Sequence, residues 1–249
     1  MIQVVDRTFA VLEYIAKDPD GKNRLSDIAA ATELNASTCA RILKALTNLG
    51  YVIKNESRGG YSLGPKSYSL ASKGVKGKNI VLAGKIFLAE LAEKINESIL
   101  LATLLHGKRT VLYEITAKRQ IQAQNEAMRD TENPIKTATG RLMLAHLSES
   151  DRNRIIGDMK NFSSAWPMVK TKADLTKALD EICKQGYAIR DKESEVVGIA
   201  VPIRDNEVIS ASLGIYLPAF RFNKKRETEL IQEMISTAKK IEKVLLKQK

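Results

Sequence analysis

The sequence predicts an α+β protein, with a small N-terminal winged helix-turn-helix followed by a larger α/β domain built on a central antiparallel sheet. Three observations predict it. Three stretches of helical spacing are followed by a hairpin pattern within the first 64 residues. A Lys- and Gly-rich stretch, Ser72-Lys73-Gly74-Val75-Lys76-Gly77-Lys78, then interrupts the chain. Beyond it, short apolar strand candidates occur among amphipathic helices, which is the pattern of a layered α/β domain.

In the head, Val4, Val5, Phe9, Leu12, Ile15 and Ala16 recur at helical spacing. That helix should stop near Lys17, ahead of the turn residues Asp18-Pro19-Asp20-Gly21. Ser26 is the expected N-cap of a short helix from Asp27 to Thr32. Glu33-Leu34-Asn35 makes a tight break, and a non-glycine at Glu33 predicts a turn without positive φ. A third helix is expected from Ser37 to Leu49, with Gly50 closing it. Its apolar stripe is Cys39, Ile42, Leu43, Leu46 and Leu49; Ser37, Thr38, Arg41, Lys44 and Asn48 form the other face. Tyr51–Lys54 and Gly60–Gly64 then pair as strands around the polar segment Asn55-Glu56-Ser57-Arg58-Gly59.

Two helices joined by a tight turn form a helix-turn-helix, whose second helix reads base edges in the major groove. Arg41 suits a bidentate contact to guanine, and Ser37, Thr38 and Lys44 share its face. Lys54 and Arg58 would sit on the wing, near phosphates. Charge agrees with this reading. The chain carries +11 overall; residues 1–35 sum to −2 and residues 36–66 to +4, so the sign changes where a groove-facing element begins. Residues 76–249 carry a further +8, so charge alone does not locate the contact.

Pro65 is placed to start another helix, and Ile80–Ile95 a longer one with Leu82, Ile86, Leu88, Leu91 and Ala92 as its apolar positions. The expected organisation is residues 1–64 as the DNA-binding head, 65–79 as linker helix and hinge, and 80–249 as a second domain. In that domain Ser98–Leu104 and Thr110–Ile115 read as a hairpin turning at His106-Gly107-Lys108. Pro134–Gly140 leads into a helix from Arg141 to Leu147, with further helices near 149–160 and 172–184. Strands follow at 187–190, 197–203 and 208–215, and a closing helix at 224–247.

An enzyme is disfavoured. His106 and His146 are the two histidines, neither beside a nucleophile motif, and no phosphate-binding, dinucleotide or zinc-ligand pattern occurs. Asp191, Glu193 and Glu195 cluster, but in so basic a chain they are expected to pair with cations. Cys39 and Cys183 are too far apart for a metal knuckle; Cys39 is read as a small buried hydrophobe, and a reducing cytoplasm is the expected home. No apolar run reaches the roughly 18 residues needed to cross a bilayer. No cofactor and no metal are expected.

The motifs Leu25-Ser26-x-Ile28-Ala29, Arg41-Ile42-Leu43-x-x-Leu46-x-x-x-Gly50-Tyr51-Val52 and Tyr61-x-Leu63-Gly64 resemble the DNA-binding domain of the IclR family of regulators. Three later stretches resemble its effector domain, which is similar to a GAF fold: Pro134…Thr137-Ala138-Thr139-Gly140-Arg141, Gly186-Tyr187-Ala188…Asp191-x-Glu193, and Ile199-Ala200-Val201-Pro202-Ile203. The resemblance implies a homodimer, or a dimer of dimers, on double-stranded DNA bearing an inverted repeat. It also implies a small organic effector behind the Thr137–Gly140 turn, where a helix N-terminus can receive a carboxylate. Asp191, Glu193, Gly198, Gly214 and Tyr216 complete the candidate effector site. Here the chain departs from the family pattern: Gly198 replaces a frequent Cys, and Gly214 and Tyr216 replace two Ser. A bulkier or more apolar ligand is one expectation; a pocket that has lost its ligand, leaving a constitutive DNA-binding protein, is the other.

Overall fold

The computed structural model describes residues 3–18, 23–55, 59–72, 76–119, 131, 133–157, 159, 162–190 and 195–247. By its internal contacts the chain divides into two compact units, Met1–Lys78 and Asn79–Lys249.

The first unit orders α1 (Gln3–Ala16), α2 (Leu25–Ala31), α3 (Ala36–Asn48), the antiparallel hairpin β1 (Val52–Asn55) and β2 (Gly60–Leu63), and α4 (Pro65–Ser72). Its core gathers Val11 and Ile15 of α1, Ile28 and Ala29 of α2, Cys39, Ile42, Leu43 and Leu46 of α3, and Val52 of β1. Val4, Val5 and Phe9 of α1 and Leu49 after α3 are exposed instead, so the expected apolar stripes are each only partly used inside this unit. Asn23 ties the pieces together. Its side-chain Nδ2 lies 3.2 Å from the Ile15 carbonyl, 3.1 Å from that of Asp18 and 3.2 Å from that of Tyr61, while the Tyr61 N–H donates back to its carbonyl.

Two local expectations are corrected. Ser26 does not cap α2: the helix starts at Leu25 with Arg24 as N-cap and no side-chain cap, and the Ser26 hydroxyl donates to Asp27 Oδ1. Nor does the turn avoid the left-handed region, because Glu33 sits at φ +55°. The cause is the way α2 ends: Leu34 N–H donates to the Ala29 carbonyl and Glu33 N–H to that of Ala30, the paired bonds of a Schellman closure. That closure demands a left-handed residue after the C-cap, whatever the side chain.

The second unit contains α5 (Lys76–Ile95), whose first turn spans the division, β3 (Ser98–Leu105), β4 (Lys108–Ile115), α6 (Ala138–Ala145), α7 (Glu149–Ile156), α8 (Lys172–Gln185), β5 (Ala188–Arg190), β6 (Val196–Asp205), β7 (Val208–Pro218) and α9 (Lys224–Lys247). All neighbouring strands are antiparallel, in the order β4-β3-β7-β6-β5. The sheet is covered on both faces, so the strands read as long apolar runs rather than as clean alternation. Ile99 and Leu101, Val197 to Ile203 at odd positions, and Leu213, Ile215 and Leu217 pack with α5 and α9. The even positions, including Leu100, Ala200, Gly198, Gly214 and Tyr216, face the opposite side, where Ala200 joins the cluster of α6 and α8. Several bounds shift by a few residues: α6 begins at Ala138 rather than Arg141, α7 ends at Ile156, and Lys108 belongs to β4 rather than to the turn. On α5, Leu82 and Ile86 are exposed.

Glu97, buried before β3, accepts two bonds of 2.8 Å from Arg221 Nε and Nη2, while Arg226 Nη2 donates to the Ile95 carbonyl. These arginines clamp the start of β3 to the end of β7 and the start of α9. Replacing Glu33 by Gly removes the penalty of a side chain in the left-handed region, so Glu33→Gly should stabilise the head by about 1 kcal/mol. Thermal unfolding should show the gain as a rise of a few degrees in the midpoint; a fall would contradict the closure described.

Candidate nucleic-acid interface and effector site

In α3 the side chain of Asn35 is the N-cap, accepting from Thr38 N–H at 2.8 Å and from the Ser37 hydroxyl at 2.8 Å. Cys39, Ile42, Leu43 and Leu46 are buried, which turns Ser37, Arg41, Lys44 and Asn48 to solvent, with Thr38 at the edge of the same face. Gly50, at φ +79°, ends the helix and lets Tyr51 enter the hairpin. Lys54 lies exposed on β1 opposite Tyr61. Arg58 lies outside the described residues. One polar, cationic face therefore runs along α3, and one cation of the wing hairpin stands exposed in the same unit. Asn35, which fixes the first turn of α3, is not among the residues expected from the sequence; an Asn just before a helical pattern is the signal that marks it.

In the second unit Thr137, Ala138, Thr139, Gly140, Gly198, Gly214 and Tyr216 come together on the α6 face of the sheet, all buried. Asp191 and Glu193 lie outside the described residues. Thr137 is the N-cap of α6: its hydroxyl accepts from Gly140 N–H at 3.1 Å, so part of the helix N-terminus is satisfied by the chain itself. Gly140 is required by packing, since a Cβ there would stand 2.1 Å from the Pro134 carbonyl oxygen.

The polar centre of this region is Thr139. Its hydroxyl accepts from Arg109 Nε at 2.9 Å, lies 3.2 Å from the Tyr216 hydroxyl and 3.5 Å from the Thr137 hydroxyl. Arg109 is fully buried and is not among the expected residues. Its residue type, next to a turn, reads as a solvated cation; its position two residues before Val111, on the strand's inner face, is the available signal. Tyr216 is also fully buried, packed with Leu100, Ala102 and Val196. Arg141 is a separate structural anchor: it donates to the Ile135 and Ala165 carbonyls, and its guanidinium lies 3.8 Å from the centre of the Trp166 ring. His146 ends α6 half-buried, its Nδ1 2.9 Å from the Leu142 carbonyl, and burial pushes its pKa down. Among the described residues no cluster has the composition of a metal site.

The family model of the IclR helix-turn-helix domain matches residues 4–56, and that of the bacterial transcriptional regulator IclR C-terminal matches residues 72–243. The chain belongs to the IclR family. It is therefore a transcriptional regulator with a DNA-binding helix-turn-helix and a C-terminal effector-binding domain. Relatives include the regulator KdgR of Escherichia coli, 24% identical over 245 residues, with 96% of this chain and 91% of that protein covered. The regulator TtgV of Pseudomonas putida is 28% identical over 240 residues, covering 96% of this chain and 89% of the relative. Among solved structures, an IclR homologue from Microbacterium hydrocarbonoxydans complexed with 4-hydroxybenzoate superposes with a TM-score of 0.75 at 21% identity, covering 97% of this chain and 98% of that one. The Thermotoga maritima IclR gives 0.70 at 20%, covering 98% and 99%.

Proposed function

We propose that this IclR-family chain is a sequence-specific operator-binding regulator whose affinity for DNA is modulated by a small organic effector held beneath α6. The observation that carries the DNA half is the face Ser37, Thr38, Arg41 and Lys44 on α3, held outward by the buried stripe behind it. Arg41 is the residue suited to a base edge; Lys54, with Arg58 beyond the described residues, is suited to phosphate. The effector half draws on the buried polar set around Thr139 and on the Microbacterium homologue's complex with 4-hydroxybenzoate. An effector works by binding the DNA-competent and DNA-incompetent states differently. A second reading, a constitutive DNA-binding protein, draws on the Tyr216 ring filling the interior at this site. A cytoplasmic home follows from the function proposed.

The chain acts as a homodimer. Within the head, Phe9, Leu12, Leu46, Leu49, Leu63 and Leu70 line an apolar groove of about 630 Å³, and Phe9, Leu49 and Leu70 are more than half exposed. Apolar side chains left exposed side by side on one small unit are suited to association. A second copy also supplies the second recognition helix that an inverted repeat requires. Phe9→Glu should shift sedimentation equilibrium toward monomer and weaken operator binding; an unchanged dimer would remove this groove from the interface.

Fluorescence anisotropy on the DNA upstream of the chain's own gene, against scrambled competitor at fixed salt, tests the DNA-binding reading. Arg41→Ala should cost about 1–3 kcal/mol on the operator and relax preference at one position of each half-site. Lys54→Ala should weaken all duplexes alike and lower the salt slope by about one. Unchanged operator affinity in Arg41→Ala would overturn the assignment of α3.

A further inference from the structure

The residues around Tyr216 have the form of a ligand site with the ligand already in it. The phenol ring leans along β7 over Gly214, with Gly198 of β6 beside it. A Cβ at Gly198 would stand 2.8 Å from Tyr216 Cε1, and one at Gly214 would stand 3.2 Å from Cε2 and 2.6 Å from Thr139 Cγ2. Gly198 pairs directly with Tyr216, and Gly214 pairs with Ala200 and Leu100. Glycine in a strand interior gives up packing and marks a place where something approaches closely. Two such positions on adjacent central strands clear a slot of ring width.

The head of the ring is as specific as its edges. A core tyrosine needs one hydrogen-bond partner for its hydroxyl. Here the hydroxyl meets Thr139 Oγ1 at 3.2 Å, which already accepts from buried Arg109 Nε at 2.9 Å and neighbours Thr137 Oγ1 at 3.5 Å. Both threonines belong to the start of α6. The slot thus offers apolar walls to a six-membered ring and a row of hydroxyls to one oxygen at its para position.

We propose that Tyr216 is a tethered occupant of the effector site, and that the ligand class the site takes is a single phenol-type ring with an oxygen head directed at Thr139. This rests on the reading of the second unit as effector-binding. A free ligand of this class has to displace the side chain, so its apparent affinity is lowered by the fraction of time the slot is vacated. Tyr216 thereby sets both the shape of the ligand and the concentration at which the regulator responds.

The test uses the full-length protein and phenol itself. Tyr216→Ala removes the equivalent of one phenol and leaves a buried void of matching shape, the kind of cavity that takes up an aromatic guest. Titration calorimetry should show one phenol per chain, bound at least about tenfold tighter than by the unsubstituted protein. Phenol should also be preferred over benzene, and its addition should raise the thermal midpoint of the variant. Where Tyr216→Ala does not fold, Tyr216→Phe serves: it keeps the ring and loses only the bond to Thr139, so phenol affinity should rise about fivefold over the unsubstituted protein. A folded Tyr216→Ala that binds phenol no better than the unsubstituted protein, or no better than benzene, overturns the proposal; so does an unchanged affinity in Tyr216→Phe. The effector reading is tested separately on the same samples. Tight phenol binding by the variant with unmoved operator affinity upholds the slot and removes its regulatory role. Failure of phenol to bind, while some other metabolite shifts operator affinity in both proteins, upholds the regulator and removes the slot.

Discussion

A sheet covered by helices on both faces excludes water from the whole of its interior, so each polar group placed there has to find its partner within the chain. That constraint organises the second unit. Strands β3, β6 and β7 meet it by carrying few polar side chains, and the polar groups that do enter are mostly matched to one another. Ser98 accepts from Ala117 N–H; Arg141 is held by two carbonyls and the Trp166 ring; Glu97 is held by Arg221. Ser212 Oγ is an exception, buried without a hydrogen-bond partner among the described residues, at a cost of about 1–3 kcal/mol. Arg109, Thr137, Thr139 and Tyr216 converge on the start of α6, where a sensing domain would read a ligand.

The same concentration of polarity is what the proposed effector response would draw on. Thr139 belongs to α6, Arg109 to β4 and Tyr216 to β7, so one hydroxyl joins three elements. In the proposed response, a ligand oxygen that replaced the Tyr216 hydroxyl at Thr139 would act on the contact between α6 and the sheet. Gly140, backed against the Pro134 carbonyl, keeps that end of the helix close and leaves little slack for the change to be absorbed locally.

Much of the fold is legible in the sequence because two-sided burial writes itself into the strands as uninterrupted apolar runs, and because Gly50 and the hairpin follow a clear helical stripe. The departures have physical causes. Val4, Val5, Phe9 and Leu49 are apolar without being core, because periodicity records which face is apolar and not what covers it. Glu33 takes positive φ because the closing hydrogen bonds of α2 outweigh the preference of its side chain. Of the candidate effector residues, the Thr137–Gly140 turn and the glycines of β6 and β7 stand out through the family resemblance. Arg109 does not: strand alternation puts it on the inner face with Val111, but its contact to Thr139 spans thirty residues and is set by the tertiary fold.

In the proposed function, two copies of this chain read a particular DNA sequence through α3. Selection of bound duplexes from a random-sequence pool by the full-length protein tests it most directly. The expected result is enrichment of an inverted repeat whose half-sites lie about one helical turn, or a multiple of it, apart. Recovery of duplexes with no shared sequence, their affinity set by salt alone, would contradict it.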